Sequence, residues 1–218
     1  MISTFAAFID SNVFYGARLR SLILYLAQTG LFRARWSNDV HREWMTHLIR
    51  NRPDLNESLL ERTRRLMDGS VLDCLVTGYE PIIASLTLPD PDDRHILAAA
   101  IVAGAGIIVT FNLADFPDTA IEQFGIHARH PDEFILDAIA MNEPMCLEAV
   151  QEDLTHYVSP PMTVDSYIDS LERAHVPKTA SFLRERKIIF TDNAGIGEQV
   201  EAMAKTALPA SPAPGEMD

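Results

Sequence analysis

Four acidic residues stand where a folded chain could gather carboxylates into one site. Asp10 ends the apolar run TFAAFI, Asp93 closes the acidic group DPDD, and Asp115 follows the apolar run GIIVTFN. Glu43 lies beside an apolar helix face in the segment VHREW. Two carboxylates about 4 Å apart repel each other by about 4 kcal/mol at an effective dielectric constant of 20. Convergence of these acids would therefore raise their pKa values or require a bound cation.

A cluster of oxygen donors favours a hard divalent cation such as Mg²⁺ or Mn²⁺. With few protein ligands Mg²⁺ keeps several of its waters, and a metal-bound water can attack a phosphodiester. The acids therefore predict a Mg²⁺ or Mn²⁺ site with hydrolytic chemistry. Such a site needs no residue that forms a covalent bond with the substrate.

Apolar runs and turn residues predict the elements that position these acids. The third helix is expected to begin with a capping box formed by Asp54 and Glu57 and to end at Gly69, and the first is expected to stop at Gly30. The predicted strands cover residues 4–9, 74–80, 106–112 and 126–130. The predicted helices between them cover residues 13–28, 37–52, 54–69 and 92–106.

This alternation of strands and helices predicts an α/β fold with a parallel sheet and helices on both faces. Ligands bind beyond the carboxyl ends of the strands in such sheets. Asp10 and Asp115 are expected at that edge, and Asp93 is expected to open the helix between the middle and last strands. The fold would thus bring separate sequence segments to one site.

The pattern of alternating strands and helices ends near residue 130, and only helices are predicted after it. Four further helices are predicted, at residues 131–141, 143–157, 163–174 and 177–187. We expect this small all-helical region to cover the first domain or to extend a dimer or partner interface, without supplying chemistry. The end of the chain is rich in Pro and Ala and is expected to be disordered. The predicted parts are residues 1–130, 131–190 and 191–218.

The net charge of −13 argues against a simple nucleic-acid coat, but the charge is uneven. Residues 18–65 hold ten arginines and five acids, a net charge of +5, whereas the rest of the chain carries −18. Arginine binds phosphate through its bidentate fork, so Arg62, Arg64 and Arg65 are candidate RNA contacts; a solvated helix face is the alternative.

The sequence predicts a cytoplasmic protein with no membrane segment. No apolar run reaches the roughly 18 residues that would span a bilayer. The N-terminal segment lacks the basic stretch of a secretory signal. Cys74 and Cys146 lie far apart and form no metal-type spacing, so both are expected to be buried small side chains.

Four segments together resemble the acidic motifs of PIN-domain ribonucleases, in particular the VapC-type toxins of toxin–antitoxin pairs. They are FIDSNVFYGA, VHREW, DPDDRHILAAAI and VTFNLADFP. The segment at residues 162–186 is similar to a C-terminal extension of one subgroup. The resemblance implies a PIN-like, Rossmann-like sheet and Mg²⁺- or Mn²⁺-dependent endonucleolytic cleavage of RNA. It also implies a homodimer that is inhibited by a small antitoxin protein.

The resemblance also implies roles for individual residues. The implied metal-binding and catalytic set is Asp10, Glu43, Asp93 and Asp115. The family's spacing to the apolar helix favours Asp93 over Asp92, which becomes a supporting acid, while Asp90 belongs to the turn. Asn12 and Asn112 fit supporting or substrate-orienting roles.

Two other functions remain open at the level of the sequence. A haloacid-dehalogenase-like phosphatase also places an aspartate after its first strand, but it needs a second acid where this chain has Asn12. A catalytically weak PIN scaffold that only binds partners is the other alternative. A nucleotide-binding module lacks support, because the glycines of AGAGI end a helix instead of opening one.

Overall fold

The computed structural model describes residues 5–157 and 161–192. Within them, five strands form one sheet in which all the pairs are parallel. The strands are β1 (Ala6–Ile9), β2 (Arg33–Ser37), β3 (Leu75–Val76), β4 (Ala105–Val109) and β5 (His127–Arg129). Their spatial order is β3-β2-β1-β4-β5, and helices flank the sheet, so the predicted α/β class is confirmed.

Helices connect these strands and then make up the whole C-terminal region of the described chain. They are α1 (Ser11–Tyr15), α2 (Ala17–Gln28), α3 (Asn38–Asn51), α4 (Glu57–Ser70), α5 (Glu80–Ile83), α6 (Arg94–Val102), α7 (Asp118–Ile121), α8 (Pro131–Met141), α9 (Glu143–Thr155), α10 (Val164–Arg173) and α11 (Pro177–Glu185).

The two central strands, β1 and β4, fix the edge at which the acids meet. All four residues of β1 are buried, as expected for a parallel strand covered on both faces. In the β1–β4 register Ile9 pairs with Val109, so the next residues, Asp10 and Thr110, reach the carboxyl edge at the same level. The chain leaves β1 towards β2 on one side, while β4 lies on the other. This is the topological switch point where α/β sheets form their ligand crevice.

Strand β2 was not predicted from the sequence. It has the sequence RARWS, in which Ala34 and Trp36 are buried between the more accessible Arg33 and Arg35. Buried and accessible residues alternate with a period of two, which is typical of a strand. The segment contains no continuous apolar run, because arginines interrupt it.

Three predicted helix boundaries were wrong. The single helix expected at residues 13–28 is broken at Gly16, whose extended backbone separates α1 from α2. The N-cap of α4 is Asn56, whose side chain accepts a hydrogen bond from the Ser58 N–H, so the predicted Asp54–Glu57 capping box does not form. Gly69 lies inside α4 rather than ending it. Gly30, in contrast, follows α2 with φ at 74°, as a helix-terminating glycine does.

A buried polar network fixes α3, the helix that carries Glu43. His41 Nε2 lies 2.8 Å from an oxygen of Asp68 on α4, and Trp36 Nε1 donates to the same oxygen at 2.9 Å. Trp44 Nε1 donates to His41 Nδ1 at 3.0 Å. The network ties α3 to both α4 and β2 and thereby holds the glutamate helix against the sheet.

The four predicted C-terminal helices are confirmed as α8 to α11, and they pack on the first part of the chain. The Phe134 ring meets those of Phe5 and Phe32 edge-on. The buried Asp153 carboxylate accepts hydrogen bonds from Ser21 on α2 and, at 2.6 Å, from the hydroxyl of Tyr167 on α10. These contacts continue one hydrophobic core across both parts.

The α8 residue Asp132 fixes the start of α11. Its buried carboxylate accepts hydrogen bonds from the backbone N–H groups of Lys178 and Thr179 at 2.8 and 2.7 Å. The hydroxyl of Thr179 donates to it at 2.7 Å. Asp132 therefore caps a neighbouring helix and sets the position of the α10–α11 turn.

Two further predictions concern the ends of the chain and membranes. The described residues end at Asp192, so the expected disordered tail lies almost wholly outside them. None of the helices in the described part of the chain has both the length and the apolar character needed to cross a membrane. Cys74 and Cys146 are buried with free thiols, as predicted.

Candidate active site

Asp10 lies directly after β1 and is only 3% exposed. Its carboxylate accepts a hydrogen bond at 2.6 Å from the hydroxyl of Thr110, the residue opposite it after β4. It occupies the N-cap position of α1 but makes no side-chain capping hydrogen bond there. Capping of α1 therefore does not account for a buried carboxylate at this place.

Asn12 and Thr110 hold the Asp10 carboxylate in a fixed orientation. The Asn12 amide N–H donates to the same Asp10 oxygen at 2.6 Å and lies 2.9 Å from the Thr110 hydroxyl. The Asn12 carbonyl oxygen accepts from the Phe111 N–H at 3.2 Å. Asn12 thus links the end of β1 to the loop after β4, and its supporting role stays a prediction.

Asp93 lies where a short 3-10 turn, Pro91–Asp93, runs into α6. It occupies the N-cap position of α6 without a side-chain capping hydrogen bond. The turn itself is capped by Asp90, whose side chain accepts from the Asp92 N–H at 2.8 Å. Asp90 is therefore part of the turn, as expected, and Asp92 is exposed, whereas Asp93 is half-buried.

Asp115 is placed by a second 3-10 turn, Leu113–Asp115, that follows β4. The turn begins after Asn112, whose side chain is exposed and whose backbone N–H donates to the Thr110 hydroxyl at 3.0 Å. Thr110 thus joins the Asp10 carboxylate to the loop that leads to Asp115.

Glu43 points from α3 towards α6, where it meets His95. His95 Nε2 lies 2.6 Å from a Glu43 oxygen, in an ion-pair contact that lacks hydrogen-bond alignment. The His95 side chain is 12% exposed and that of Glu43 is 40% exposed. Burial alone would lower the pKa of His95, but Glu43 together with Asp39 and Asp10 outweighs burial, so the His95 pKa is raised.

The four predicted acids influence one another electrostatically. Burial raises the pKa of Asp93 to about 7, and the carboxylates of Asp10 and Asp115 act in the same direction. Burial also raises the pKa of Asp10, as does Glu43, although the hydrogen bond from Thr110 opposes the change. Asp10 is thus coupled electrostatically to both Asp93 and Glu43, and Asp115 is coupled to Asp93.

The chemistry of this set fits a hard divalent cation. It consists of carboxylate oxygens, two of which have raised pKa values that a cation would lower. The set is not preassembled: no three His, Cys, Asp or Glu side chains among residues 5–157 and 161–192 are gathered closely enough to hold an ion.

The predicted arginine contacts lie on α4. Arg64 forms ion pairs with Glu61 and Asp68 at 2.7 and 3.1 Å, so part of its charge is compensated within the helix. Arg62 and Arg65 are exposed to solvent. The role of all three residues in RNA binding stays a prediction.

Family comparisons agree with this geometry. A family model described as a PIN domain matches residues 6–114, half of the chain. The chain belongs to the PIN-domain family. The matched segment spans β1 to the turn that holds Asp115, and it includes Asp10, Glu43 and Asp93. The predicted resemblance is therefore confirmed.

The helical region and one relative extend the similarity. A model described as the VapC50 C-terminal domain matches residues 131–185, which include α8 to α11. VapC50 of Mycobacterium tuberculosis (strain ATCC 25618 / H37Rv), whose name describes it as a candidate ribonuclease, is 38% identical over 107 residues. That match covers 49% of this chain and 62% of the relative, less than two thirds of its length. No solved structure matches the chain significantly.

Two residues of the site were missed or misjudged in the sequence. Thr110 was not predicted as a site residue, although it is a polar group directly after an apolar strand. His95, which contacts Glu43, was not predicted as a site residue. The signal for Thr110 was a polar side chain directly after an apolar strand, and that for His95 was its position two residues after Asp93.

Proposed function

We propose that this chain is an endoribonuclease that hydrolyses RNA phosphodiester bonds at the carboxyl edge of its PIN-domain sheet. The observation that carries the proposal is the electrostatic coupling of Asp10 with Asp93 and Glu43 at the topological switch point. Asp10, Glu43, Asp93 and Asp115 would hold Mg²⁺ or Mn²⁺. A divalent cation bound there would supply a polarised water as the nucleophile.

The protein's own residues have distinct tasks in this proposal. Thr110 and Asn12 fix the Asp10 carboxylate through hydrogen bonds, so that one of its oxygens keeps a defined direction. Asp93 is unused by helix capping and remains available as a ligand. His95 positions the Glu43 carboxylate and offsets part of the negative charge that an incoming phosphate would meet.

RNA as the substrate rests on the relative and on the chemistry of the site. The relative's name describes a candidate ribonuclease, and four carboxylates without a built-in nucleophile suit hydrolysis of a phosphodiester. The exposed Arg62 and Arg65 would contact the RNA backbone, with Arg64 contributing only in part because of its ion pairs.

We further propose that the protein is the toxin of a toxin–antitoxin pair, neutralised by a cognate antitoxin protein. The match of α8–α11 to the VapC50 C-terminal domain supports this assignment. A homodimer, a cytoplasmic location and the division into residues 1–130, 131–190 and a tail belong to the same proposal. Asn12, which sits where a dehalogenase-like phosphatase needs an acid, gives no support to that alternative.

A binding-only scaffold is the second candidate, because the described acids are not preassembled for a metal. The deciding experiment incubates the full-length protein with single-stranded RNA, with Mg²⁺ or Mn²⁺ and with excess EDTA. We expect endonucleolytic products with metal, none with EDTA, and none with the Asp10→Asn variant. Cleavage that continues in EDTA would refute the metal mechanism, and absence of cleavage on varied RNAs would favour the scaffold.

A further inference from the structure

A cleft of about 510 Å³ lies where the C-terminal helices meet the carboxyl edge of the sheet. Leu113 and His130 line it from the sheet side. Glu172, His175 and Lys178 line it from α10, the α10–α11 turn and α11. The cleft therefore exists only because both parts of the chain contribute a wall.

The cleft adjoins the candidate active site through direct contacts. Leu113 belongs to the same 3-10 turn as Asp115. Phe111 donates its backbone N–H to Asn12, the residue that orients the Asp10 carboxylate. The ring of Phe111 meets those of His130 and His175 edge-on, with centroids 5.0 and 6.3 Å apart. A strand of RNA at the acids would thus pass the mouth of this cleft.

His175 has a backbone conformation that its side chain does not explain. It follows α10 with φ at 63°, in the left-handed region where helix ends favour glycine. The His175 N–H donates a hydrogen bond to the Glu172 carbonyl, and the Val176 N–H donates to the Leu171 carbonyl. The turn is therefore a regular helix ending, in which glycine would adopt the left-handed conformation more easily. The imidazole is exposed towards the cleft. This conformation, together with the position of the imidazole at the cleft, motivates the hypothesis that the His175 side chain is used.

The lining suits a flat, uncharged heterocycle more than a phosphate. Imidazole rings and the apolar walls of Leu113 and Pro177 offer stacking surfaces. Glu133 is ion-paired with Lys178 and Glu172 with Arg184, but with Asp132 the acids outnumber the single basic residue of the lining, which disfavours phosphate. The carboxylate oxygens can also accept hydrogen bonds from the amino group of a base. The volume lies in the range of small-molecule sites, which is roughly 300–1,000 Å³.

We infer that this cleft seats one unpaired base of the RNA substrate, next to the bond that is cut, and favours a base with an amino group. The inference rests on the proposed ribonuclease function. Unpaired RNA bases are commonly recognised by stacking on aromatic or histidine side chains together with hydrogen bonds to their edges. The C-terminal region would then determine substrate preference, and the chemistry would stay with the PIN domain.

The test uses the full-length protein and a short single-stranded oligoribonucleotide that carries 2-aminopurine, a fluorescent base with an amino group. Binding is measured in EDTA, so that it does not depend on cleavage. We expect stacking in the cleft to quench the fluorescence. His175→Gly should raise the Kd about fivefold to a hundredfold, the range for loss of one base-stacking contact.

Two controls separate recognition from folding. Glycine suits the backbone conformation of position 175, so the variant should unfold at the wild-type temperature or above it. Asp73→Gly places glycine at the other left-handed non-glycine position of the described residues, in the turn before β3 and so at the amino edge of the sheet. This control should leave RNA affinity unchanged. With metal added, His175→Gly should also weaken the preference for one base beside the cut.

The possible outcomes are distinct. Wild-type protein that cleaves RNA, together with unchanged affinity and base preference in His175→Gly, overturns the inference and leaves the proposed function intact. Unchanged RNA affinity combined with loss of binding to a protein partner also overturns it and assigns the cleft to that partner. Wild-type protein that neither binds nor cleaves RNA overturns the proposed function and this inference with it.

Discussion

Replacing Asp93 by asparagine should stabilise the metal-free protein while it abolishes metal-dependent cleavage. The pKa of this half-buried carboxyl is raised to about 7 by burial and by its acidic neighbours. A rise in pKa from an ordinary value near 4 means that the folded state disfavours the ionised form of Asp93 by about 4 kcal/mol. Asp93 is only partly buried, so solvent screening reduces this to about 2 kcal/mol.

The sign of the pH dependence follows from the raised pKa. Between about pH 4 and pH 7 the folded state keeps the Asp93 proton, whereas the unfolded chain has released it. The contribution of Asp93 to the free energy of unfolding of the wild type therefore falls as the pH rises from about 4 to about 7. Asparagine has no such dependence, so the advantage of Asp93→Asn should be full at pH 8 and less than half as large at pH 5.

Urea or thermal unfolding in EDTA measures this effect. An advantage of about 2 kcal/mol corresponds to a Tm about 4–8 °C higher for a chain of this size. Asp92→Asn is the matched control, since Asp92 is the adjacent, exposed acid, and it should change stability by less than about 0.5 kcal/mol. Addition of Mg²⁺ should stabilise the wild type but not Asp93→Asn. A variant less stable than the wild type at pH 8 would show that the carboxylate has a structural partner and would refute the reasoning.

Three further predictions concern other parts of the molecule. Glu43→Gln and Asp115→Asn should each lower the cleavage rate by at least about 100-fold in a steady-state assay, because each removes a positioned charged group. Asp92→Asn should lower it far less. If Asp92 proved essential, it would replace Asp93 in the site. Replacing Arg62 and Arg65 by Gln should reduce the slope of log affinity against log salt concentration by about 0.7 for each lost phosphate contact, and an unchanged slope would place RNA elsewhere. Asp132→Ala removes the cap of α11 and should cost about 1–3 kcal/mol in thermal unfolding; full stability would mean that α11 does not depend on this cap.

The parts of the fold that the sequence predicted are those with strong local patterns. β1 and β4 are uninterrupted apolar runs, and the C-terminal helices have clear apolar faces and proline breaks, so both were found. β2 escaped because its arginines are partly exposed and its two buried residues alternate with them. The α4 cap was misplaced because Asp54 and Asn56 are equally good capping residues, and only packing decides between them.

The places of Asp10, Asp93 and Asp115 were predictable because strand ends and helix starts can be located in sequence, whereas Glu43 lies inside α3. Their supporting groups were not, because those contacts depend on register. Thr110 reaches Asp10 only through the pairing of Ile9 with Val109. His95 reaches Glu43 only through the packing of α6 near α3. The cleft at His175 depends on the docking of α11, which Asp132 fixes at long range in sequence.

In the proposed mechanism Asp10 and the neighbouring acids would hold a divalent cation, which would supply an activated water for attack on the RNA phosphodiester. The most direct test is the chemistry of the ends formed when the full-length protein and Mg²⁺ or Mn²⁺ cut an RNA that lacks the 2′-hydroxyl at the scissile nucleotide. The account predicts that cleavage continues and that no 2′,3′-cyclic phosphate forms, because water is the nucleophile. Loss of cleavage on this RNA, with cyclic phosphate ends on the unmodified one, would contradict it.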